Sequence, residues 1–220
     1  MKIIVIIPAR NESAKIGKVI KEVKNAGFEV LVINDGSNDN TSELAKQAGA
    51  RVISHPINRG QGAALKTGIE YAIKNDYEVI VFFDADGQMK AEEISALISP
   101  LENGGCDVVL GSRFLGRAEN IPLQKLLTLK LALVFTRLAT GLKITDVHNG
   151  FQAWKREALE KIHLIQDRQA YASEILHEIA AKKLKYIEIP VTITYTDYSK
   201  KKGQSILNAF NILWDLIIKK

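Results

Sequence analysis

The sequence predicts an α/β fold, one mostly parallel central sheet with flanking helices. Three observations predict it. Strand-like runs alternate with helix-length amphipathic stretches from residue 2 to about residue 110. Runs such as 2–7 (KIIVII) and 78–83 (EVIVFF) are apolar almost throughout, as strands covered on both faces are. Polar, glycine-bearing loops follow several of these runs. Such alternation builds right-handed βαβ units around a parallel sheet.

Residues 2–7 are the first strand. Ser13 caps a helix extending to about Asn25, and residues 28–33 are the second strand. Thr41 opens a helix that runs to about Ala48 and stops at Gly49; 51–54 is a short strand. Residues 61–75 are helical, with Leu65, Ile69, Ala72 and Ile73 on one face. A strand at 78–83, a helix at 91–99 and a strand at 107–110 follow. The rhythm then breaks. Residues 121–142 form a long Leu-rich helix, 146–154 a strand or turn, and 171–182 a helix. Residues 186–195 read as two short strands broken at Pro190, and a basic loop at 200–203 leads into a terminal helix. No repeat or linker interrupts the chain, so residues 1–220 are expected to form a single domain.

Hydrophobic residues at 46% and charged residues at 25% are a globular balance. The net charge of +5 suits a nucleotide substrate, anionic lipid or nucleic acid. Aromatic residues are only 7% and do not interleave with the basic ones, which argues against nucleic acid. Cys106 is the only cysteine, so no disulfide framework is possible; beside an apolar strand it reads as a small core residue. Lys2 precedes a short apolar run ending at Pro8, with Arg10 and Glu12 close behind, so no signal peptide is expected and a cytoplasmic location is. Lys125, Lys130 and Arg137 interrupt the Leu-rich stretch. Each would cost about 2.5–3.5 kcal/mol at mid-bilayer, so it does not read as a membrane span.

The strand at 78–83 runs into Asp84-Ala85-Asp86-Gly87-Gln88. Strand residues two apart point the same way, so the two carboxylates converge at the strand's end. Mg²⁺ joins one or two carboxylates to substrate phosphates, and open α/β sheets bind ligands at that edge. Gln88 adds an amide oxygen. The reading is a metal–diphosphate site; a polar turn capping a buried strand is the plainer alternative.

Three more loops lie at the same edge. In Pro8-Ala9-Arg10-Asn11-Glu12, Glu12 can accept from a ribose or base, or Asn11 or Ser13 merely caps the helix. In the run from Asn34 to Thr41, Asp35 can accept from a base N–H and ribose hydroxyls, while Asp39 and Thr41 read as caps. From Asn58 to Lys66, Gly60 and Gly62 open a helix whose N-terminus attracts anions. The loop lacks both the Walker and the dinucleotide Gly-x-Gly-x-x-Gly patterns. Further on, Arg113 in Gly111-Ser112-Arg113-Phe114 follows a strand end and can pair with phosphate bidentately. In Asp146-Val147-His148-Asn149-Gly150-Phe151, Asp146 or His148 is the base if the acceptor is an alcohol; a phosphate acceptor needs none. His55, His163 and His177 have no partner pattern and read as structural or exposed.

Together these loops, with Glu188-Ile189-Pro190-Val191, resemble the family 2 glycosyltransferases of GT-A fold. The branch they look like most is the polyprenyl-phosphate hexose synthases, dolichyl-phosphate mannose synthase among them. The resemblance implies an inverting, metal-dependent transfer of a hexose from a GDP- or UDP-hexose to an acceptor, preferably polyprenyl phosphate. It implies a nucleotide-sugar half at about 1–112 and an acceptor half at about 113–220. Asp84, Asp86 and Gln88 would hold Mg²⁺ or Mn²⁺. Pro8, Ala9, Arg10, Glu12, Asp35, Gly36, Ser37, Gly60, Lys66, Asp84 and Ala85 would line the donor. Asp86, Arg113, Asp146 and His148 would carry the chemistry, with Arg113 toward the acceptor phosphate or the sugar. Asn34 stands where many relatives have a first acid, and many relatives continue into transmembrane helices. A cell-wall or capsular glycan acceptor, a sugar nucleotidyltransferase and a non-enzymatic scaffold are the competing readings.

A lipid acceptor would give two helices a use. Ile206, Leu207, Phe210, Leu213, Trp214 and Ile217 share one face, flanked by Lys200, Lys201, Lys202, Lys219 and Lys220. That pattern suits either an interfacial helix on anionic lipid or a core-packing terminal helix, and residues 126–138 carry the same ambiguity. Peripheral contact at the cytoplasmic face of a membrane is the expectation.

Overall fold

The computed structural model describes residues 1–168 and 170–202. One sheet contains β1 (Ile3–Ala9), β2 (Glu29–Asp35), β3 (Arg51–His55), β4 (Val79–Phe82), β5 (Val108–Glu119), β6 (Gln152–Lys155) and β7 (Tyr186–Thr194). Their order is β3-β2-β1-β4-β6-β5-β7. β6 runs antiparallel to both β4 and β5, and the other pairings are parallel. The helices are α1 (Ile16–Asn25), α2 (Thr41–Gln47), α3 (Gln61–Lys74), α4 (Ile94–Glu102), α5 (Leu123–Thr140), α6 (Arg156–Leu159), α7 (Tyr171–Ala181) and α8 (Asp197–Lys202).

The apolar strands explain the layering. Successive strand residues face opposite sides, so a strand apolar throughout needs cover on both. Val5 and Ile7 join Val19, Ile20, Val23, Ile94 and Leu97 from α1 and α4. Ile4 and Ile6 join Leu65, Ile69, Leu129, Ile175 and Ile179 from α3, α5 and α7. β6 is sealed the same way: Phe151 before it packs edge-on against Phe83, ring centroids 5.3 Å apart, while Trp154 lies 6.1 Å from Phe82 on the other side. Deleting either buried ring would cost about 3–5 kcal/mol.

Four expected elements differ. β5 does not stop at Leu110 but continues to Glu119 along β7, with an irregularity between Ser112 and Arg117. Residues 111–114 are therefore strand, not a loop. Pro190 does not break β7, because β7 is an edge strand with β5 as its neighbour, and the missing N–H can face away from the ladder. Ser13 does not cap α1, which starts at Ile16; its N–H is spent on Asp39. The basic stretch is helical through Lys202. The expected amphipathic helix at 205–220 lies outside the described residues. Among the described residues no helix is long and apolar enough to cross a membrane.

Candidate active site

The chain leaves the sheet at Asp84, after the Phe83 N–H has donated to Ile6 O at 3.0 Å. The turn that follows is built around its own carboxylate: Gln88 N–H donates to Asp86 Oδ1 at 3.0 Å, and Gly87 takes φ 76°. Gln88 O in turn accepts from Thr194 N–H at 2.9 Å, which moors the turn to β7. Asp84 Oδ1 accepts from Gln61 Nε2 at 3.2 Å. Gly150 presses against the same group: a Cβ there would sit 2.8 and 2.9 Å from the two Asp84 oxygens. Only a glycine leaves that carboxylate in place. Burial first, and then the charge of Asp86, push the Asp84 pKa well above the usual carboxylate range; Arg113 offsets part of this and Glu12 adds to it.

Two hard-oxygen donors that repel each other at a strand end are a donor set that fits Mg²⁺ or Mn²⁺. Among the described residues no three His, Cys, Asp or Glu side chains gather as a cation cage. A cation at Asp84 and Asp86 would therefore take its remaining ligands from the amide of Gln88, substrate or water.

The first two loops are zipped together. Asn11 N–H donates to Ser37 Oγ at 2.9 Å, and Asn38 N–H to Asn11 Oδ1 at 2.9 Å. Glu12 N–H donates to Thr41 Oγ1 at 2.8 Å, and Ser13 N–H to Asp39 Oδ2 at 3.2 Å. Asp39 and Thr41 thus staple the neighbouring loop rather than only cap their own helix. Partial burial would raise the Asp39 carboxyl, but hydrogen bonds from Thr41 and Ser13 outweigh it and lower the pKa to about 2. Pro8 and Ala9 end β1, Arg10 is exposed and Glu12 is buried. Gly36, at φ 64°, lies so close to Ile57 and Asn58 that a Cβ would come within 2.5 Å of their backbone.

Asp35 joins the second loop to the third. Its Oδ1 accepts from Arg59 N–H at 2.8 Å and Oδ2 from Gly60 N–H at 2.7 Å. His55 Nδ1 also reaches Oδ1, at 2.8 Å, and His55 Nε2 lies 2.9 Å from Thr67 Oγ1. The expected anion seat at the start of α3 is arranged otherwise. Ala63 N–H donates to Asp167 O at 2.9 Å, and Cβ atoms on Gly60 or Gly62 would strike Asp167 O or Gln166 O at 2.4 and 2.2 Å. Lys66 Nζ pairs with Asp167 and donates to Ile165 O at 3.2 Å. The two glycines admit the Gln166–Asp167 backbone, and Gly60 and Lys66 are engaged with that segment rather than open to a phosphate.

On the other side of the two acids, Arg113 is buried within β5. Its Nε donates to Asp146 Oδ2 at 2.7 Å, Nη1 to the Tyr195 hydroxyl, and Nη2 to the carbonyls of Val147 and His148 at 3.3 and 3.2 Å. Burial opposes the guanidinium charge, but Asp146 and Tyr195 more than offset it and raise the pKa. Asp146 Oδ2 also accepts from Arg113 N–H at 2.9 Å and Oδ1 from Val147 N–H at 2.8 Å. Glu188 holds this turn from β7, accepting from Thr145 and Asp146 N–H at 2.7–3.1 Å. Arg113 and Asp146, expected at an open loop, form a closed pair beside the Asp84–Asp86 turn. His148 sits next to them at φ 53°, with Nε2 2.9 Å from Ser173 Oγ. Its residue keeps an exposed surface, yet the protein crowding its ring, with the charges of Lys125 and Arg113, lowers its pKa to about 4. Lys125, exposed on the first turn of α5, is lowered by its own crowding and by Arg113.

Sequence reasoning missed several members of this edge. Tyr198 reaches from α8 to Glu12 Oε2 at 2.8 Å, across 186 residues, and Tyr195 reaches Arg113 across 82. Neither has a local signal. His55 had one: it ends β3 at the ligand-binding edge of the sheet.

A family model described as glycosyl transferase family 2 matches residues 4–163. The UDP-N-acetylglucosamine–dolichyl-phosphate N-acetylglucosaminyltransferase of Methanococcus voltae is 32% identical, over 99% of this chain and 96% of its own. Polyprenol monophosphomannose synthase of Mycolicibacterium smegmatis is 32% identical, over 94% of this chain and 83% of its own. Glucosyl-3-phosphoglycerate synthase from Mycobacterium tuberculosis, solved with Mn²⁺, UDP-glucose and phosphoglyceric acid, superposes with a TM-score of 0.70. At 21% identity, over 98% of this chain and 77% of that one, it attests the shared GT-A fold.

Proposed function

Because this chain belongs to glycosyl transferase family 2 and is a glycosyltransferase, we propose that it moves a hexose from a GDP- or UDP-hexose to polyprenyl phosphate, with inversion and with Mg²⁺ or Mn²⁺. The observation that carries the reading is the pair of mutually repelling acids, Asp84 and Asp86, between the Glu12 loop and the Arg113 network. Asp84, Asp86 and the amide of Gln88 would hold the cation. When bound there, it would offset the charge that builds on the leaving diphosphate. Pro8 to Glu12 and Asp35 to Ser37 take the nucleoside, with Ala85 lining the donor pocket. Gly60 and Lys66 support that wall through the 165–168 segment.

The acceptor class is argued from the missing base. Both Asp146 oxygens are engaged by N–H donors, and His148, with a pKa of about 4, is neutral and weakly basic. An alcohol would need its proton taken; a phosphate monoester arrives ionised. Its oxygen attacks the anomeric carbon, the carbon–oxygen bond to the diphosphate breaks, and nucleoside diphosphate leaves. Lys125, at the start of α5 and close enough to Arg113 and His148 to interact electrostatically with both, would bring a positive charge toward that oxygen. The names of the Methanococcus and Mycolicibacterium relatives support the same class.

A lipid-linked acceptor needs an approach from a bilayer. α5 carries Leu131 and Leu138 at 73% and 82% exposure, with Leu123, Leu127 and Val134 also exposed. Its only ionisable groups are Lys125, Lys130 and Arg137. An apolar stripe edged by cations suits the surface of an anionic leaflet, here the cytoplasmic face. The test is Asp86→Ala. Metal-dependent transfer from labelled donor to polyprenyl phosphate should fall by at least about 100-fold, with nucleoside diphosphate release lost in step. Near-normal turnover, or transfer to sugar acceptors in preference to the lipid phosphate, would refute the reading. Flotation with anionic liposomes should carry the protein, and Leu131→Glu should leave it in solution.

A further inference from the structure

Asp35 ends β2 with only 3% of its surface exposed, and what holds its carboxylate decides what it can read. The N–H groups of Arg59 and Gly60 each take one oxygen. The remaining hold comes from β3: His55, 8% exposed, places Nδ1 2.8 Å from Oδ1, and its other nitrogen is pinned by Thr67 on α3. A carboxylate offers about four acceptor positions. Arg59 and His55 fill both on Oδ1, and Gly60 takes one on Oδ2. One lobe of Oδ2 is left for a ligand.

We infer that His55 is a positioning residue for donor recognition: by locking Oδ1 it turns the last lobe of Asp35 Oδ2 toward an N–H or O–H of the nucleoside. This rests on the proposed role of Asp35 as a nucleoside ligand. The group recognised is a hydrogen-bond donor, such as the imino N–H of uracil or guanine or a ribose hydroxyl. The effect is confined to the nucleoside, because Asp84 and Asp86, which face the diphosphate, do not touch His55. A residue that merely filled space would affect both ends of the donor equally.

The experiment compares His55→Ala, His55→Asn, Thr67→Val and Asp35→Ala by calorimetry with Mn²⁺ and either UDP, GDP or inorganic pyrophosphate. Donor KM, kcat and melting temperature are followed alongside. His55→Ala should weaken the better nucleotide about tenfold and raise donor KM to match, with pyrophosphate affinity and kcat nearly unchanged. His55→Asn, whose amide N–H can take the place of Nδ1–H, should restore most of the loss, and Thr67→Val should show a smaller one. In the Asp35→Ala background, His55→Ala should add nothing. Should His55→Ala not fold, His55→Asn and Thr67→Val still decide the matter through the ratio of nucleotide to pyrophosphate affinity. Equal losses for nucleotide and pyrophosphate, or no loss while Asp35→Ala weakens nucleotide, would overturn the role of His55. No loss in Asp35→Ala itself would instead overturn the nucleoside reading of Asp35.

Discussion

On the proposed donor side of the site, carboxylates are held by backbone N–H groups of nearby loops: Asp35 by Arg59 and Gly60, Asp39 by Ser13 and Thr41, Asp86 by Gln88. On the proposed acceptor side, Arg113 and Asp146 hold each other in a buried ion pair, walled in by Tyr195 and the Val147 and His148 carbonyls. Backbone donors are part of the loop and survive a side-chain change. A buried ion pair is a joint arrangement of two side chains, and losing one strands the other. The donor side should therefore tolerate substitution with a loss of binding, whereas the acceptor side should fail by unfolding.

The largest expected effect tests that contrast directly. Arg113→Met leaves Asp146 charged and buried without its ion partner, held only by the N–H groups of residue 113, Val147 and Asn149, and should cost about 3–5 kcal/mol in urea unfolding. The double variant Arg113→Met with Asp146→Leu should recover most of that stability while remaining inactive. If the single change is nearly neutral, the two sides do not differ as described. A middle-sized effect comes where the sides touch. Gly150→Ala drives a methyl into the Asp84 carboxylate and should weaken Mn²⁺ binding about tenfold in a titration, with a much smaller change in melting temperature. The smallest effect is a pH dependence on the donor side. The Asp39 pKa is about 2 when folded against 3.8 for the free side chain. Its stabilisation is therefore complete above about pH 4 and lost as pH falls toward 2. After discounting for solvent screening it is at most about 1 kcal/mol. Asp39→Asn should flatten that acid limb and leave stability at pH 7 lower by about the same amount.

The same contrast governs what could be read from the residues. The doubly apolar strands and the loops after β1, β2 and β4 are local patterns, and the structure has them in place. The acid pair stands out because its strand, turn glycine and amide are contiguous. The local pattern ends β5 at Leu110 because the partner that extends it, β7, lies about eighty residues on, and no local rule announces that pairing. Pro190 misled because its penalty depends on whether a strand has one neighbour or two. The Gly60–Gly62 loop carried a true signal of close backbone approach, but the approaching group is residues 166–168 of the same chain. His55 reads as structural or exposed because its place at the end of β3 hints at the edge but its partners, Asp35 and Thr67, lie 20 and 12 residues away.

The reversed strand has one more consequence. Because β6 runs against β4, the peptide entering it arrives where the peptide leaving β4 departs, and so Gly150 abuts Asp84. Phe151 and Ala153 are buried on one face of β6 and Trp154 on the other, so a slip of one residue would expel every anchor at once. The spacing between an interior tryptophan and its hydrocarbon neighbours thus acts as a gauge block, transferring the dimensional tolerance of the core to the Asp84 carboxylate, which lies outside it.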